Sequence, residues 1–240
     1  HCESSAASDV YKRQVQHLLQ KKVWLNKIKK FLPSYVNRHG RLTESQKRHI
    51  ALLEDFDFAK FKSLEVSLSK SNLVLDIGFG NGDYTINYAL NYPEKTIIAS
   101  EVYLSGIGSL IRKIKKESLQ NIFIFDGDAR EIFENLSDSS VDEINILFPD
   151  PWQKARHNKR RLFSEDFLDL IYKKLNKSGK IFVRTDWEDY AETIIESARA
   201  RSKKYKFEKI KELNFEFKTK FHLKSINEKR KIFTFMLTKT

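Results

Sequence analysis

The stretch Leu73-Val74-Leu75-Asp76-Ile77-Gly78-Phe79-Gly80-Asn81-Gly82 decides the fold of this chain. It begins with a short apolar run typical of a buried strand, and a helical pattern follows over residues 83–92. The glycines let the backbone turn sharply and approach a ligand at the carboxyl end of the strand. Their spacing is G-x-G-x-G rather than the G-x-G-x-x-G of dinucleotide-binding enzymes, so a nicotinamide-dependent dehydrogenase is disfavoured.

The same strand-to-helix alternation continues along the chain. Further apolar runs predict strands at residues 96–99, 122–125, 144–148 and 180–183, and further helical patterns cover residues 104–117 and 165–175. Such alternation predicts an α/β fold with a doubly wound, mainly parallel sheet. Residues 205–213 and 231–238 are β-prone and joined by a polar loop without an obvious long helix, so we expect a closing antiparallel pair and seven strands altogether.

The charge balance favours a polyanionic partner. The 240 residues carry a formal net charge of +12, which attracts nucleic acid or, as an alternative, an anionic membrane surface. No apolar run reaches the roughly 20 residues that span a bilayer, so an integral membrane protein is not expected. The single cysteine, Cys2, cannot form an internal disulfide, which fits a cytoplasmic location.

The N-terminal region is predicted to be an extension of residues 1–43, ahead of the α/β domain of residues 44–240. Residues 1–8 are small and polar and are interpreted as a remnant without function. Residues 10–31 place apolar side chains at helical spacing between many lysines. This basic amphipathic helix either only docks on the core or also contacts RNA phosphates.

Three acidic residues follow three successive strands. Asp76 ends the first strand, Glu101 follows the second and Asp128 follows the third. The carboxyl ends of parallel strands meet at one edge of a sheet, so we expect these carboxylates to share a ligand site. Glu101 is placed to accept the hydroxyls of a ribose, and Asp128 an adenine amino group. The alternative is that each one caps a helix or lies in solvent.

The fourth strand leads into Phe148-Pro149-Asp150-Pro151-Trp152-Gln153-Lys154-Ala155-Arg156-His157-Asn158-Lys159-Arg160-Arg161. The two prolines fix the backbone around Asp150 at the end of the strand. A run of cations with an aromatic ring next to a rigid acid suits a nucleic acid base held in a catalytic pocket.

This segment closely resembles the signature of the bacterial tRNA (guanine-N7-)-methyltransferases, which are class I S-adenosylmethionine-dependent enzymes with a Rossmann-like fold. The resemblance extends from about residue 38 to residue 240. It includes Arg38-His39-Gly40-Arg41-Leu42-Thr43, the segments at residues 76–82 and 100–102, Thr185-Asp186-Trp187-Glu188-Asp189-Tyr190-Ala191-Glu192, and Thr219-Lys220-Phe221. It implies methyl transfer from S-adenosylmethionine to N7 of the variable-loop guanine, position 46, of tRNA, by a monomer or homodimer without a metal.

The resemblance also implies roles for individual residues. Asp150 is the implied catalytic residue. The implied cofactor-binding residues are Asp76, Gly78, Gly80, Gly82, Glu101, Asp128 and Asp150. The implied substrate-binding residues are Lys154, Asp186, Thr219, Lys220, Phe221 and His222. The implied RNA-binding residues are Arg156, His157, Asn158, Lys159, Arg160 and Arg161.

The chain departs from the family pattern at three positions. Asp76 stands where Glu is usual, His222 replaces a Glu, and Lys224 lies near a usual Arg. Asp186 also has a structural alternative, because Thr185 and Glu188 have the spacing of a capping box.

Two other functions remain open from the residues alone. An amino-group methyltransferase is one, although such enzymes carry an (Asp/Asn/Ser)-Pro-Pro-aromatic motif after the fourth strand. The other is a non-catalytic RNA-binding subunit with a methyltransferase fold.

Overall fold

A computed structural model of the chain describes residues 31–35, 41–64, 72–211 and 217–240. Residues 1–8, the predicted basic helix except Phe31, and the Arg38-His39-Gly40 part of the N-terminal motif lie outside the described residues. The boundary after residue 43 stays a prediction.

The described strands form one seven-stranded sheet in the order β3-β2-β1-β4-β5-β7-β6. Their bounds are β1 Leu73–Ile77, β2 Thr96–Glu101, β3 Ile122–Asp126, β4 Val141–Leu147, β5 Leu175–Thr185, β6 Tyr205–Lys209 and β7 Phe233–Lys239. Strands β1 to β5 are parallel, whereas β7 pairs antiparallel with both β5 and β6. The predicted α/β fold, with its parallel sheet and antiparallel C-terminal pair, is confirmed.

Helices cover both faces of the sheet. Their bounds are α1 Glu44–Ile50, α2 Phe58–Leu64, α3 Asp83–Asn91, α4 Leu104–Glu117, α5 Ala129–Asn135, α6 Glu165–Tyr172, α7 Glu188–Ala200 and α8 Lys220–Asn227. One apolar core lies between the sheet and α2, α5, α6 and α7, and the other between the sheet and α1, α3 and α4. Adjacent side chains of β5 point to opposite faces of the sheet, so Ile181 packs in the first core and Phe182 in the second. None of the helices described is long and apolar enough to cross a membrane.

The predicted polar loop before the last strand contains a short helix, α8, of eight residues. It begins after Thr219, whose side chain accepts a hydrogen bond from the backbone N–H of His222. Its buried residues, His222 and Ser225, are polar, whereas Phe221, Leu223 and Ile226 are exposed. The apolar periodicity that marks a helix docked on a core is therefore missing from this segment.

Candidate active site

A cleft of about 420 Å³ opens where strands β1 to β4 end at their carboxyl edge. Open parallel sheets bind their ligands at this edge. Of the predicted site residues, those that line the cleft are Gly78, Gly80, Glu101, Asp128, Asp150, Lys220 and Phe221. The remaining predicted residues lie behind or beside it.

The glycine loop turns tightly between β1 and α3. Gly78, Gly80 and Gly82 all have positive φ, the region that favours glycine. Gly106, in the first turn of α4, is a functional candidate that the sequence reasoning missed. A Cβ atom there would overlap the carbonyl oxygen of Gly80, so Gly106 lets α4 approach the loop. A glycine in the first turn of the helix that follows Glu101 is the sequence signal that could have indicated this close approach.

Glu101 fastens the glycine loop to the end of β2. One carboxylate oxygen accepts from the backbone N–H of Gly80 at 2.9 Å. The other accepts from the N–H groups of Val102 at 2.7 Å and Tyr103 at 3.1 Å. The carboxylate is buried and its orientation is fixed before any ligand binds.

Asp128 combines the two roles that the sequence left open. It caps α5 by accepting from the backbone N–H of Arg130, and it pairs with the Arg130 guanidinium at 2.5 Å. It also lines the cleft beside Gly127. The cap therefore holds the carboxylate at the edge where a ligand amino group would meet it.

Asp76 lies behind the loop rather than in the cleft. Its carboxylate is 3% exposed and accepts from the hydroxyl of Thr85 at 2.6 Å. Burial raises the pKa of this carboxyl to about 7. This position does not support the predicted direct cofactor contact and indicates that Asp76 supports the loop from below. Gly82 likewise caps α3 and does not line the cleft.

Asp150 lies in a strained loop at the end of β4. Phe148 and Trp152 flank the Pro-Asp-Pro segment, with φ angles of 55° and 46° in the left-handed region. Such strain is costly for aromatic residues and concentrates at functional sites. The loop is anchored on one side by the N–H of Phe148, which donates to the carbonyl of Arg184 at 2.7 Å. Asp150 is exposed and lines the cleft.

A short 3₁₀ turn, Ala155–Arg160, follows the Asp150 loop and packs two of its side chains against the Trp152 ring. The Arg160 guanidinium lies over that ring at 5.0 Å, and His157 meets its edge at 5.6 Å. Lys154, Arg156 and Lys159 are exposed, and Asn158 is half-buried. Desolvation and the neighbouring cations lower the pKa of His157, which favours its neutral form.

Arg161 differs from the rest of this basic run. Its side chain is 2% exposed, lies over the Tyr190 ring and pairs with Asp189. It also donates to the carbonyl of Pro151 at 3.0 Å and to the hydroxyl of Thr193 at 2.6 Å. This burial beneath the Asp150 loop does not support the predicted RNA contact of Arg161 and indicates that its guanidinium holds that loop in place.

The predicted substrate-binding residues at the start of α8 differ in whether they reach the cleft. Lys220 and Phe221 reach the cleft, whereas Thr219 caps the helix. His222 is buried, with Nδ1 3.2 Å from the guanidinium of Arg184. Since a guanidinium only donates, Nδ1 accepts this hydrogen bond.

Asp186 does not lie in the first turn of α7, and the predicted capping box is absent. The N-cap of α7 is Trp187, whose N–H donates to the Thr185 hydroxyl. Asp186 instead accepts from Ser225 and Arg230, both at 2.7 Å. It thereby fastens α8 to the end of β5.

Residues 31–35 form a wall of the cleft that the sequence reasoning missed. Ser34 and Tyr35 line it, as does Gln46 of α1. The indole N–H of Trp152 donates to the carbonyl of Ser34 at 2.8 Å. No local sequence signal indicates this contact, because its partners are distant in the chain.

Fold and cleft together define a class I methyltransferase. The carboxylates Glu101, Asp128 and Asp150 in the cleft favour a ligand rich in hydroxyl and amino donors, and they disfavour a dinucleotide pyrophosphate. The part of the chain that the structure describes shows no cluster of three acidic, His or Cys side chains that could hold a metal.

Comparisons with known proteins carry that assignment. A family model described as "Putative methyltransferase" matches residues 70–235. A tRNA (guanine-N(7)-)-methyltransferase of Nitrosococcus oceani is 38% identical over 68% of this chain and 72% of its own length. The enzyme of the same name from Nitrosospira multiformis is 40% identical over 68% of this chain and 74% of its own. The chain therefore belongs to the tRNA (guanine-N7-)-methyltransferase family.

Solved structures agree on the fold. A crystal structure described as a "putative rRNA-methylase" from Clostridium thermocellum aligns with a TM-score of 0.52 and 12% identity. The alignment covers 77% of this chain and 97% of the other.

Proposed function

We propose that the chain transfers a methyl group from S-adenosylmethionine to N7 of the variable-loop guanine, position 46, of tRNA. The observation that carries this proposal is the single cleft that holds the glycine loop, Glu101, Asp128 and Asp150 next to an exposed basic face. Family membership supports the choice of atom and substrate.

The residues of the cleft fit the cofactor. The backbone of Gly78 and Gly80 admits close approach, Glu101 takes the ribose hydroxyls, and Asp128 takes the adenine amino group. When bound, the cofactor supplies an electrophilic methyl group beside Asp150. The left-handed φ angles of Phe148 and Trp152 shape the loop that carries Asp150, and the hydrogen bond from Phe148 N–H to the carbonyl of Arg184 holds it in place.

The reaction mainly requires that guanine N7 be positioned in line with the methyl group. Guanine N7 carries a lone pair that the base also presents in the major groove, and it needs no prior deprotonation. Positioning can lower a barrier by roughly 7–11 kcal/mol in favourable cases. Asp150 accepts from the N–H donors of the guanine and stabilises the positive charge that develops on it.

The RNA contacts lie on the rim. Lys154, Arg156, Lys159 and Arg160 bind phosphates, while His157 and Asn158 contribute polar contacts. Lys220 and Phe221 meet the base at the mouth of the cleft, and the exposed Phe221 ring offers a stacking surface.

The test is methyl transfer from labelled S-adenosylmethionine to unmodified tRNA, followed by identification of the nucleoside. We expect 7-methylguanosine at position 46, and no label in a tRNA with adenine there. A label on an exocyclic amino group identifies an amino-group methyltransferase, and binding of tRNA without transfer identifies a non-catalytic subunit.

A further inference from the structure

The segment of residues 31–35 is held against the cleft at two points. At one point the Trp152 indole N–H donates to the carbonyl of Ser34 at 2.8 Å. At the other, the Arg130 guanidinium donates to the carbonyl of Leu32 at 2.8 Å and lies 4.6 Å from the centre of the Phe31 ring.

Both anchors belong to the site itself. Arg130 also pairs with Asp128 at 2.5 Å, so one guanidinium joins the segment to the carboxylate proposed for adenine. Trp152 directly follows the Pro-Asp-Pro loop. The segment therefore spans from the third-strand end of the cleft to the loop that carries Asp150.

Tyr35 is the side chain that this arrangement presents to the cleft. It is half-buried and lines the cleft together with Asp128 and Ala129. Burial raises the pKa of the Tyr35 phenol, and the negative charge of Asp128 raises it further. Tyr35 therefore stays neutral beside that carboxylate.

We infer that Tyr35 is a cofactor-binding residue whose ring covers the adenine held by Asp128, and that Trp152 positions the segment carrying it. This inference rests on the proposed use of S-adenosylmethionine. An aromatic ring suits this place because every purine has a face on which such a ring stacks. Trp152 then contributes to cofactor binding through its N–H while its ring faces the basic turn.

Calorimetric titration of the full chain with S-adenosylhomocysteine tests the inference without relying on turnover. Loss of the Tyr35 ring in Tyr35→Ala should weaken binding about 5- to 150-fold, the range that one base–aromatic stack represents. Tyr35→Phe should bind like the wild type. Trp152→Phe keeps a ring but loses the N–H, and should weaken binding several-fold.

Controls separate the possible failures. Trp187→Phe, outside the cleft, should bind like the wild type, and adenosine alone should lose affinity in Tyr35→Ala by a ratio similar to that of the full ligand. Equal affinity of wild type and Tyr35→Ala overturns the inference and leaves the proposed function standing. No binding of S-adenosylhomocysteine by the wild type overturns the proposed function itself.

Discussion

The guanidinium of Arg161 donates to the carbonyl oxygen of Pro151 at 3.0 Å, directly behind the proposed catalytic Asp150. The same guanidinium is fixed by Asp189 and Thr193 on α7. The buried Arg161 thus connects the Asp150 loop to α7. Its role is structural, unlike the RNA-binding role proposed for the exposed cations next to it.

Arg161→Gln should destabilise the protein without removing a phosphate contact to tRNA. The carbonyl of Pro151 and the hydroxyl of Thr193 lose a donor, so we expect the free energy of unfolding to fall by about 1–3 kcal/mol. Urea unfolding measures this change. Arg160→Gln is the matched control, which should keep its stability and bind tRNA more weakly. A reduced salt dependence of tRNA binding in Arg161→Gln would contradict the assignment.

Asp150→Asn should lower turnover far more than tRNA binding. The amide is nearly isosteric, but it lacks the charge that stabilises the positive guanine in the transition state, so we expect a loss of about 10²–10³ in kcat. Single-turnover methylation and filter binding of tRNA measure the two properties separately. Wild-type turnover in this variant would rule out the proposed role.

Neutralising the exposed cations should change how tRNA binding responds to salt. Each phosphate contact removed from Lys154, Arg156 or Lys159 should lower the slope of log K against log salt by about 1. Binding measured across a salt series gives this slope. Lys177→Gln, an exposed lysine on β5 away from this turn, provides the control and should leave the slope unchanged.

His222→Glu should be tolerated, whereas His222→Leu should not. The glutamate offers an acceptor to the Arg184 guanidinium, as Nδ1 of His222 does at 3.2 Å. Leucine removes that acceptor from a buried cation, at a cost of about 1–3 kcal/mol in the free energy of unfolding. Urea unfolding of both variants checks this, and equal stability of His222→Leu and wild type would refute it.

Asp76 should make stability depend on pH. Burial raises its pKa from 3.8 to about 7, so the folded protein holds a proton that the unfolded chain releases between those values. Its contribution is fully present below about pH 4 and is lost as the pH rises through 7, with a slope of up to about 1.4 kcal/mol per pH unit. Asp76→Asn removes this titration.

Unfolding measured at several pH values compares the two proteins. The stability of Asp76→Asn relative to the wild type should increase between about pH 4 and pH 7. A constant difference across that range would show that Asp76 is ionised in the folded protein.

The sequence predicted the sheet and the cleft well because their signals are local. Apolar runs marked the strands, and Glu101 and Asp128 followed strand ends that a parallel sheet brings to one edge. Glycine spacing marked the turn before α3. These features depend on neighbours in the chain, which a sequence shows directly.

The remaining features depend on contacts between distant residues. Arg161 looks like the other cations of its run, and only the 3₁₀ turn that rotates it toward α7 reveals its burial. Helix α8 buries polar groups, so it has no apolar stripe. The contact of Trp152 with Ser34 joins segments 118 positions apart, and no pattern in either segment indicates it.

The placement of β7 inside the sheet has a consequence for biosynthesis. Among the strands that the structure describes, β6 pairs only with β7, which is made after it, and β7 also covers the outer edge of β5. During translation, the β5 edge and β6 therefore lack a strand partner for their backbone groups until residues 233–239 are synthesised. Such open strand edges favour pairing with another chain, and insertion of β7 covers the edges of β5 and β6 at once.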